Sequence, residues 1–211
     1  MLDSILGANS EVKRVQSQVA RACFGLGIGP NQATIAAIAI GIASGIAFGR
    51  SATIAAIAML LVSAALDVID GTIARECSAP SALGGIIDLC GDRVVETCVI
   101  IGIAWGNPQI YFPALMLLCS WYVNITVFLA VGAALERRGP KLIEYPPGIL
   151  ERTEAIIFFV VLGIVEAVTI LRPLGPFLCY LMTALEIVTA MQRLMFGVGQ
   201  LRASGESAPN G

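Results

Sequence analysis

Histidine is absent from the 211 residues of this chain. Imidazole is therefore excluded as a general base, and so is every His-ligated metal site; a base or metal ligand has to come from Asp, Glu, Cys or Lys. Charge is scarce as well. Lys and Arg number 13, Asp and Glu 15, and charged residues make up 13% of the chain, about half the share of an ordinary soluble domain. With 57% hydrophobic residues and a mean hydropathy of +0.84, there is too little polar surface to cover a soluble globule. The same composition excludes disordered and collagen-like chains. A net charge of −2 and a pI near 5.2 do not fit a nucleic-acid-binding surface. The six cysteines (Cys23, Cys77, Cys90, Cys98, Cys119 and Cys179) form no C-x-x-C pair. Most lie in apolar stretches and read as small apolar residues of membrane helices, with no disulfide framework or zinc site.

What the chain has in abundance is long apolar runs. A helix crossing a bilayer takes about 20 residues, and six such runs are predicted, at 30–49, 52–75, 85–105, 111–135, 155–171 and 177–198. The expected fold is an all-α integral membrane protein with six transmembrane helices. Pro30 suits a first helical turn, and Gly106-Asn107-Pro108 ends the third span after Trp105. Asp3 and Glu11 interrupt the N-terminus, which lacks the pattern of a cleavable signal. Residues 2–23 instead set Leu2, Ile5, Leu6, Val12, Val15 and Val19 beside Lys13, Arg14 and Arg21, the pattern of an amphipathic helix on the membrane face. Three regions result: a juxtamembrane helix at 1–24, a six-helix transmembrane catalytic domain at 25–200, and a polar tail at 201–211 read as disordered.

Basic residues set an expected orientation. With six spans, Lys13, Arg14, Arg21, Arg75, Arg137, Arg138, Lys141, Arg152, Arg193 and Arg202 share one side, while Arg50 and Arg172 lie on the other. Both termini are thus expected in the cytoplasm, in the inner membrane of a prokaryotic cell. The first span repeats small residues every fourth position (Ala33, Ala37, Gly41, Gly45 and Gly49), a face for close packing inside the molecule or between subunits. No long internal repeat of the inverted-repeat transporter kind is visible.

Acids inside membrane helices are costly and mark functional sites. Four aspartates gather at the cytoplasmic ends of spans two and three. Asp67 and Asp70 are three apart, Asp88 and Asp92 four apart, and both spacings put a pair on one helical face. The connection from Arg75 to Gly84 is short, so the two spans are expected to be antiparallel neighbours with their acidic ends facing. Four carboxylates this close repel strongly unless cations intervene. An all-oxygen site suits Mg²⁺ or Mn²⁺, and two such ions can clamp a phosphoryl group. Gly71, Ala74 and Gly84 allow a ligand close to the backbone, and the Arg75 guanidinium is placed to hold phosphate. Structural pairing of the acids with Arg75 and Arg93 is the competing reading, but four acids against two bases leave buried charge uncompensated.

The stretch Asp67-x2-Asp70-Gly71-x2-Ala74-Arg75-x8-Gly84-x3-Asp88-x3-Asp92 resembles the signature of the CDP-alcohol phosphotransferases, matching all eight fixed positions. The Pro30-Asn31-x-x-Thr34 opening and the six-span length fit the same family. The resemblance implies transfer of a phospholipid group from a CDP-alcohol to a hydroxyl acceptor with release of CMP. It implies a first metal on Asp67, Asp70 and Asp88, a second drawing on Asp67, Asp88 and Asp92, and Asp92 as the base. It places Gly71, Ala74, Arg75, Gly84, Asn31 and Thr34 around the CDP-alcohol, and it implies a homodimer. Reaction chemistry agrees: a hydroxyl attacking phosphorus needs a base, and carboxylates are the candidates present.

The acceptor is read from basic residues at the cytoplasmic mouth. Arg152 and Arg193, with Arg137, Arg138 and Lys141 on the loop between spans four and five, form a candidate pocket for a phosphorylated polyol such as inositol phosphate or glycerol phosphate. Glu151-Arg152-x-Glu154 resembles, loosely, branches that use inositol phosphate. Plain positive-inside bias, or an uncharged acceptor such as serine or inositol, is the alternative. Glu96 is expected to pair with Arg93, and Glu166 and Glu186 to bond helix to helix. Outside the transferase class, intramembrane acids also suit a cation transporter; a membrane scaffold would not need them.

Overall fold

A computed structural model describes residues 10–136, 150 and 152–206. Seven α-helices carry these residues: α1 (Ser10–Gly25), α2 (Pro30–Gly49), α3 (Thr53–Glu76), α4 (Ala82–Ala104), α5 (Tyr111–Glu136), α6 (Arg152–Ala167) and α7 (Leu174–Glu206), with a short 3-10 turn at Pro108–Ile110 ahead of α5. No strand occurs among the described residues. The chain is an all-helical membrane protein. Four segments, Pro30–Gly49, Thr53–Glu76, Pro108–Leu135 and Leu174–Arg202, are long and apolar enough to cross a bilayer. Helix α4 falls short because Asp88, Asp92, Arg93 and Glu96 interrupt it, and α6 is only 16 residues long. The last helix continues to Glu206, into the stretch read as a tail. Leu2, Ile5 and Leu6 of the expected amphipathic segment, and residues 207–211, lie outside the described residues.

Local signals explain the helix starts. Pro30 opens α2, where the Gln32 side chain accepts from the Gly29 N–H at 2.9 Å. Ser81 caps α4 by accepting from the Gly84 N–H at 3.0 Å. Between α1 and α2 the chain turns through Gly27 at φ +84, a conformation that favours glycine.

Helix α2 is the hub. It packs along both α3 and α4, whereas α3 and α4 do not pack along each other. This corrects the expectation that the two acid-bearing helices are direct neighbours. The reason lies in the small-residue face of α2. Ala33, Ala37, Gly41 and Gly45 are buried inside the molecule. A Cβ on Gly45 would strike the Cys98 carbonyl, and one on Gly102 the Gly45 carbonyl, so α2 and α4 cross nearly backbone to backbone. The Ser63 hydroxyl donates to the Ala37 carbonyl and the Ser44 hydroxyl to the Ala56 carbonyl, both at 2.7 Å, tying α3 to the same helix. With both partners drawn onto α2, a cleft opens between the C-terminal end of α3 and the N-terminal half of α4.

A second pair, α5 with α7, is joined to the first by α6, which touches α3, α4 and α7. Phe48, Ile100, Leu117, Phe159, Leu162 and Met182 are among the buried residues where these helices meet. Helix α1 docks on the end of α3: the Ser17 hydroxyl donates to Glu76 at 2.5 Å and Arg21 pairs with Glu76 at 3.4 Å. Many large apolar side chains face outward, Ile54, Phe112 and Leu181 among them, as lipid-facing positions require.

Candidate active site

The cleft between α3 and α4 gathers the acids. Carboxylate oxygens of Asp67, Asp70 and Asp88 lie within 4.8 Å of one another. Asp70 is buried, and its Oδ2, like Asp88 Oδ1, has no hydrogen-bond partner. A buried acceptor without a donor is expensive, and three hard oxygens converging on one point suit a divalent cation. Asp92 stands one turn further along α4 and outside this trio. The guanidinium of Arg152, the first residue of α6, bridges the two: Nη1 pairs with Asp67 and lies 3.9 Å from Asp88, while Nη2 reaches Asp92 at 2.7 Å. The base compensating the acids is therefore Arg152, from a distant part of the chain. Arg93 pairs with Glu96 at 2.8 Å, as expected from their spacing, and Arg75 folds back toward Thr72 and Gly71.

Two cavities flank the acids. The first, about 210 Å³, is lined by Asn31, Thr34, Gly71, Ala74, Arg75 and Gly84 together with Asp70 and Asp88. The glycines are close-fitting here: a Cβ on Gly71 would stand 3.1 Å from Arg75 Nη1, and one on Gly84 would stand 3.1 Å from Asn31 Oδ1. The second cavity, about 300 Å³, lies on the other side of Asp92, where Arg152 and Arg193 share its wall with Asp92, Trp121, Asn124 and Glu186. Arg137, Arg138 and Lys141 lie outside the described residues.

Helices α5 and α7 meet in this second wall, where Glu186 bonds helix to helix as expected. The Trp121 indole N–H donates to Glu186 Oε1 at 3.0 Å and the Asn124 amide donates to Glu186 Oε2. Arg193 in turn donates from Nη1 to Asn124 Oδ1 at 2.8 Å, its guanidinium 5.0 Å from the centre of the Phe128 ring. The available signal was polar residues inside apolar helices; their partners, more than 60 positions away, were not legible. Glu166 does a similar structural job at the opposite end, accepting from the Asn107 amide at 2.8 Å.

The profile of the CDP-alcohol phosphatidyltransferases matches residues 28–192, and the chain belongs to that family. It is therefore an enzyme that transfers substituted phosphate groups, which displaces the transporter and scaffold readings. Among its relatives is an archaetidylinositol phosphate synthase from Pyrococcus horikoshii, 30% identical over 184 residues, 87% of this chain and 91% of the relative. Two crystal structures of the phosphatidylinositol phosphate synthase of Mycobacterium tuberculosis share the fold. One, with CDP-DAG bound, is 21% identical with a TM-score of 0.69, over 87% of this chain and 94% of that one. The other, in complex with manganese and citrate, is 20% identical with a TM-score of 0.72, over 87% and 88%.

Proposed function

We propose that this chain transfers the phospholipid group of a CDP-alcohol, CDP-diacylglycerol or CDP-archaeol, to a hydroxyl of a phosphorylated polyol, inositol phosphate first, with release of CMP. The observation that carries the acceptor class is the second cavity, where Arg152 and Arg193 stand on the same wall as Asp92. A guanidinium pair suits a phosphate monoester, and a hydroxyl of the same small molecule then lies within reach of a carboxylate. The synthase names of the relatives support this acceptor class.

The cytidine diphosphate belongs in the first cavity. Gly71, Ala74 and Gly84 leave room for it, Asn31 and Thr34 supply polar edges, and Arg75 meets its phosphates. Asp67, Asp70 and Asp88 would hold a divalent cation, Mg²⁺ or Mn²⁺, and the two-metal arrangement would add Asp92. The bound metal supplies charge neutralisation to the diphosphate. Asp92, on the wall of the second cavity, takes the proton from the acceptor hydroxyl. Arg152 holds Asp67 and Asp92 in register and faces the acceptor cavity.

In the membrane, α2 to α7 form six spans within a catalytic domain at 25–200, both termini and the acidic cleft face the cytoplasm, and α1 lies along that face as a juxtamembrane amphipathic helix. The working unit is a homodimer. The lipid chains of the CDP-alcohol stay in the bilayer while its head group reacts at the interface.

The test is CMP release by purified protein from CDP-archaeol and CDP-diacylglycerol, with Mg²⁺ or Mn²⁺, against inositol phosphate, glycerol phosphate, inositol and serine. Turnover with a phosphorylated polyol is the expected result. Turnover confined to serine or free inositol would overturn the acceptor assignment while leaving the reaction class intact.

A further inference from the structure

Two helix ends supply much of the first cavity's wall: Asn31 and Thr34 at the start of α2, and Gly71, Ala74 and Arg75 at the end of α3. Helix α1 is joined to both of those ends, yet none of its residues lines the cavity. We propose that α1 is a crossbar holding the two ends at the spacing the cytidine diphosphate needs, with Ser17 and Glu76 as positioning residues for that substrate. This rests on the assignment of the first cavity to the CDP-alcohol.

The crossbar has two joints. At the α2 end, α1 closes in a hydrogen-bonded cap: the Ile28 N–H donates to the Cys23 carbonyl at 3.1 Å and the Gly27 N–H to the Phe24 carbonyl at 2.9 Å, with Gly27 at φ +84. Only Gly29 separates this cap from Pro30, so the direction of α1 is passed on to Asn31. At the α3 end, the Ser17 hydroxyl donates to Glu76 Oε1 at 2.5 Å, and Arg21 pairs with Glu76 Oε2 at 3.4 Å. Glu76 directly follows Arg75. The hydroxyl–carboxylate bond is charge-assisted and the stronger of the two, since the Arg21 pair is exposed. Between the joints, Ala20 of α1, Ala33 of α2 and Ile73 of α3 form one buried cluster, with Ile69 and Cys77 packed against it. Ile69, Ile73 and Cys77 recur every fourth residue, so α3 gives this stripe to α1 and the adjoining stripe, Asp70, Gly71, Ala74 and Arg75, to the cavity. Ala33 likewise stands next to Thr34. A shift of α1 therefore moves both sides of the first cavity. It leaves the second alone, because that lining begins at Leu89 and draws on no residue of α1, α2 or α3.

The test is steady-state kinetics of the full chain with CDP-archaeol and inositol phosphate, alongside calorimetric titration with CMP and Mg²⁺, which needs no acceptor. In Glu76→Ala the CDP-archaeol KM and the CMP Kd are expected to rise about three- to tenfold, with the acceptor KM within about twofold of wild type. Ser17→Ala combined with Arg21→Ala removes the same joint from the α1 side, far in sequence from Arg75, and is expected to shift both values in the same direction. Exchanging the charges, Arg21→Glu with Glu76→Arg, keeps an ion pair and lets the Ser17 hydroxyl accept instead of donate; the CDP-archaeol KM is expected to return toward wild type. Wild-type KM and Kd in the Ser17–Arg21 variant would overturn the proposal, because any effect of Glu76→Ala would then act through its neighbour Arg75 alone. A lowered Tm with both KM values unchanged, or an equal rise in both, would show a merely structural joint and also overturn it. If Arg75→Gln leaves the CDP-archaeol KM and the CMP Kd unchanged, the cavity itself is not the CDP-alcohol site, and the crossbar falls with it. Should Glu76→Ala not fold, the Ser17–Arg21 variant decides the matter by the same KM and Kd.

Discussion

At the residue scale, Asp92 and Arg152 are the two positions where geometry says most. Asp92 lines the second cavity and is bound by Arg152 at 2.7 Å. Replacing Asp92 with Asn keeps the shape and removes the proposed base; turnover is expected to fall by about 10²- to 10⁴-fold, with CDP-alcohol binding retained in a direct binding assay. Retention of full CMP release by that variant would remove Asp92 as the base. Arg152→Ala acts twice, because the side chain both neutralises Asp67 and Asp92 and lines the proposed acceptor cavity. A raised acceptor KM together with a lowered kcat is expected, whereas Arg193→Gln should raise the acceptor KM alone. Chelation tests the trio Asp67, Asp70 and Asp88. Activity should vanish with EDTA and return with Mg²⁺ or Mn²⁺, and Asp70→Asn should weaken Mn²⁺ binding measured by calorimetry. The four aspartates were legible in the sequence because acids are rare in apolar helices and their i,i+3 and i,i+4 spacing aligns them. Arg152 as their counter-ion was not, since 60 residues separate it from the nearest of them, Asp92, and no local rule links them.

At the scale of elements, the site exists because α2 accepts two helices on one narrow face. The small residues at every fourth position announced close packing, and burial of Ala33, Ala37, Gly41 and Gly45 shows it to be internal. The sequence also suggested that a short α3–α4 connection would make those helices neighbours. They instead pack separately on α2, because Gly45 and Gly102 let α4 approach α2 more closely than any side chain would permit. Gly102→Ala should therefore destabilise the fold by about 1–3 kcal/mol, seen as a lower Tm in detergent, and should reduce activity by closing or skewing the cleft. Gly85→Ala is the control: a Cβ there meets nothing within 4 Å, and its Tm should stay near that of the parent.

At the scale of the whole molecule, the charge distribution and the bilayer decide orientation. Single cysteines at Ser51 and Ser78, both exposed and in the connections flanking α3, should label from opposite sides of the membrane with an impermeant maleimide in a cysteine-free background. Ser78 is expected to react from the cytoplasmic side; labelling of both from one side would overturn the proposed topology. The sequence by itself determined the membrane class, the helical architecture and the acidic signature, because each depends on composition or on spacing within a single helix. Only the tertiary structure decided that α3 and α4 stand apart on α2, that Arg152 bridges Asp67 and Asp92, and that Glu186 reaches Arg193 through Asn124. The first follows from which small residues let which backbones meet, and the other two are contacts between helices far apart in the chain.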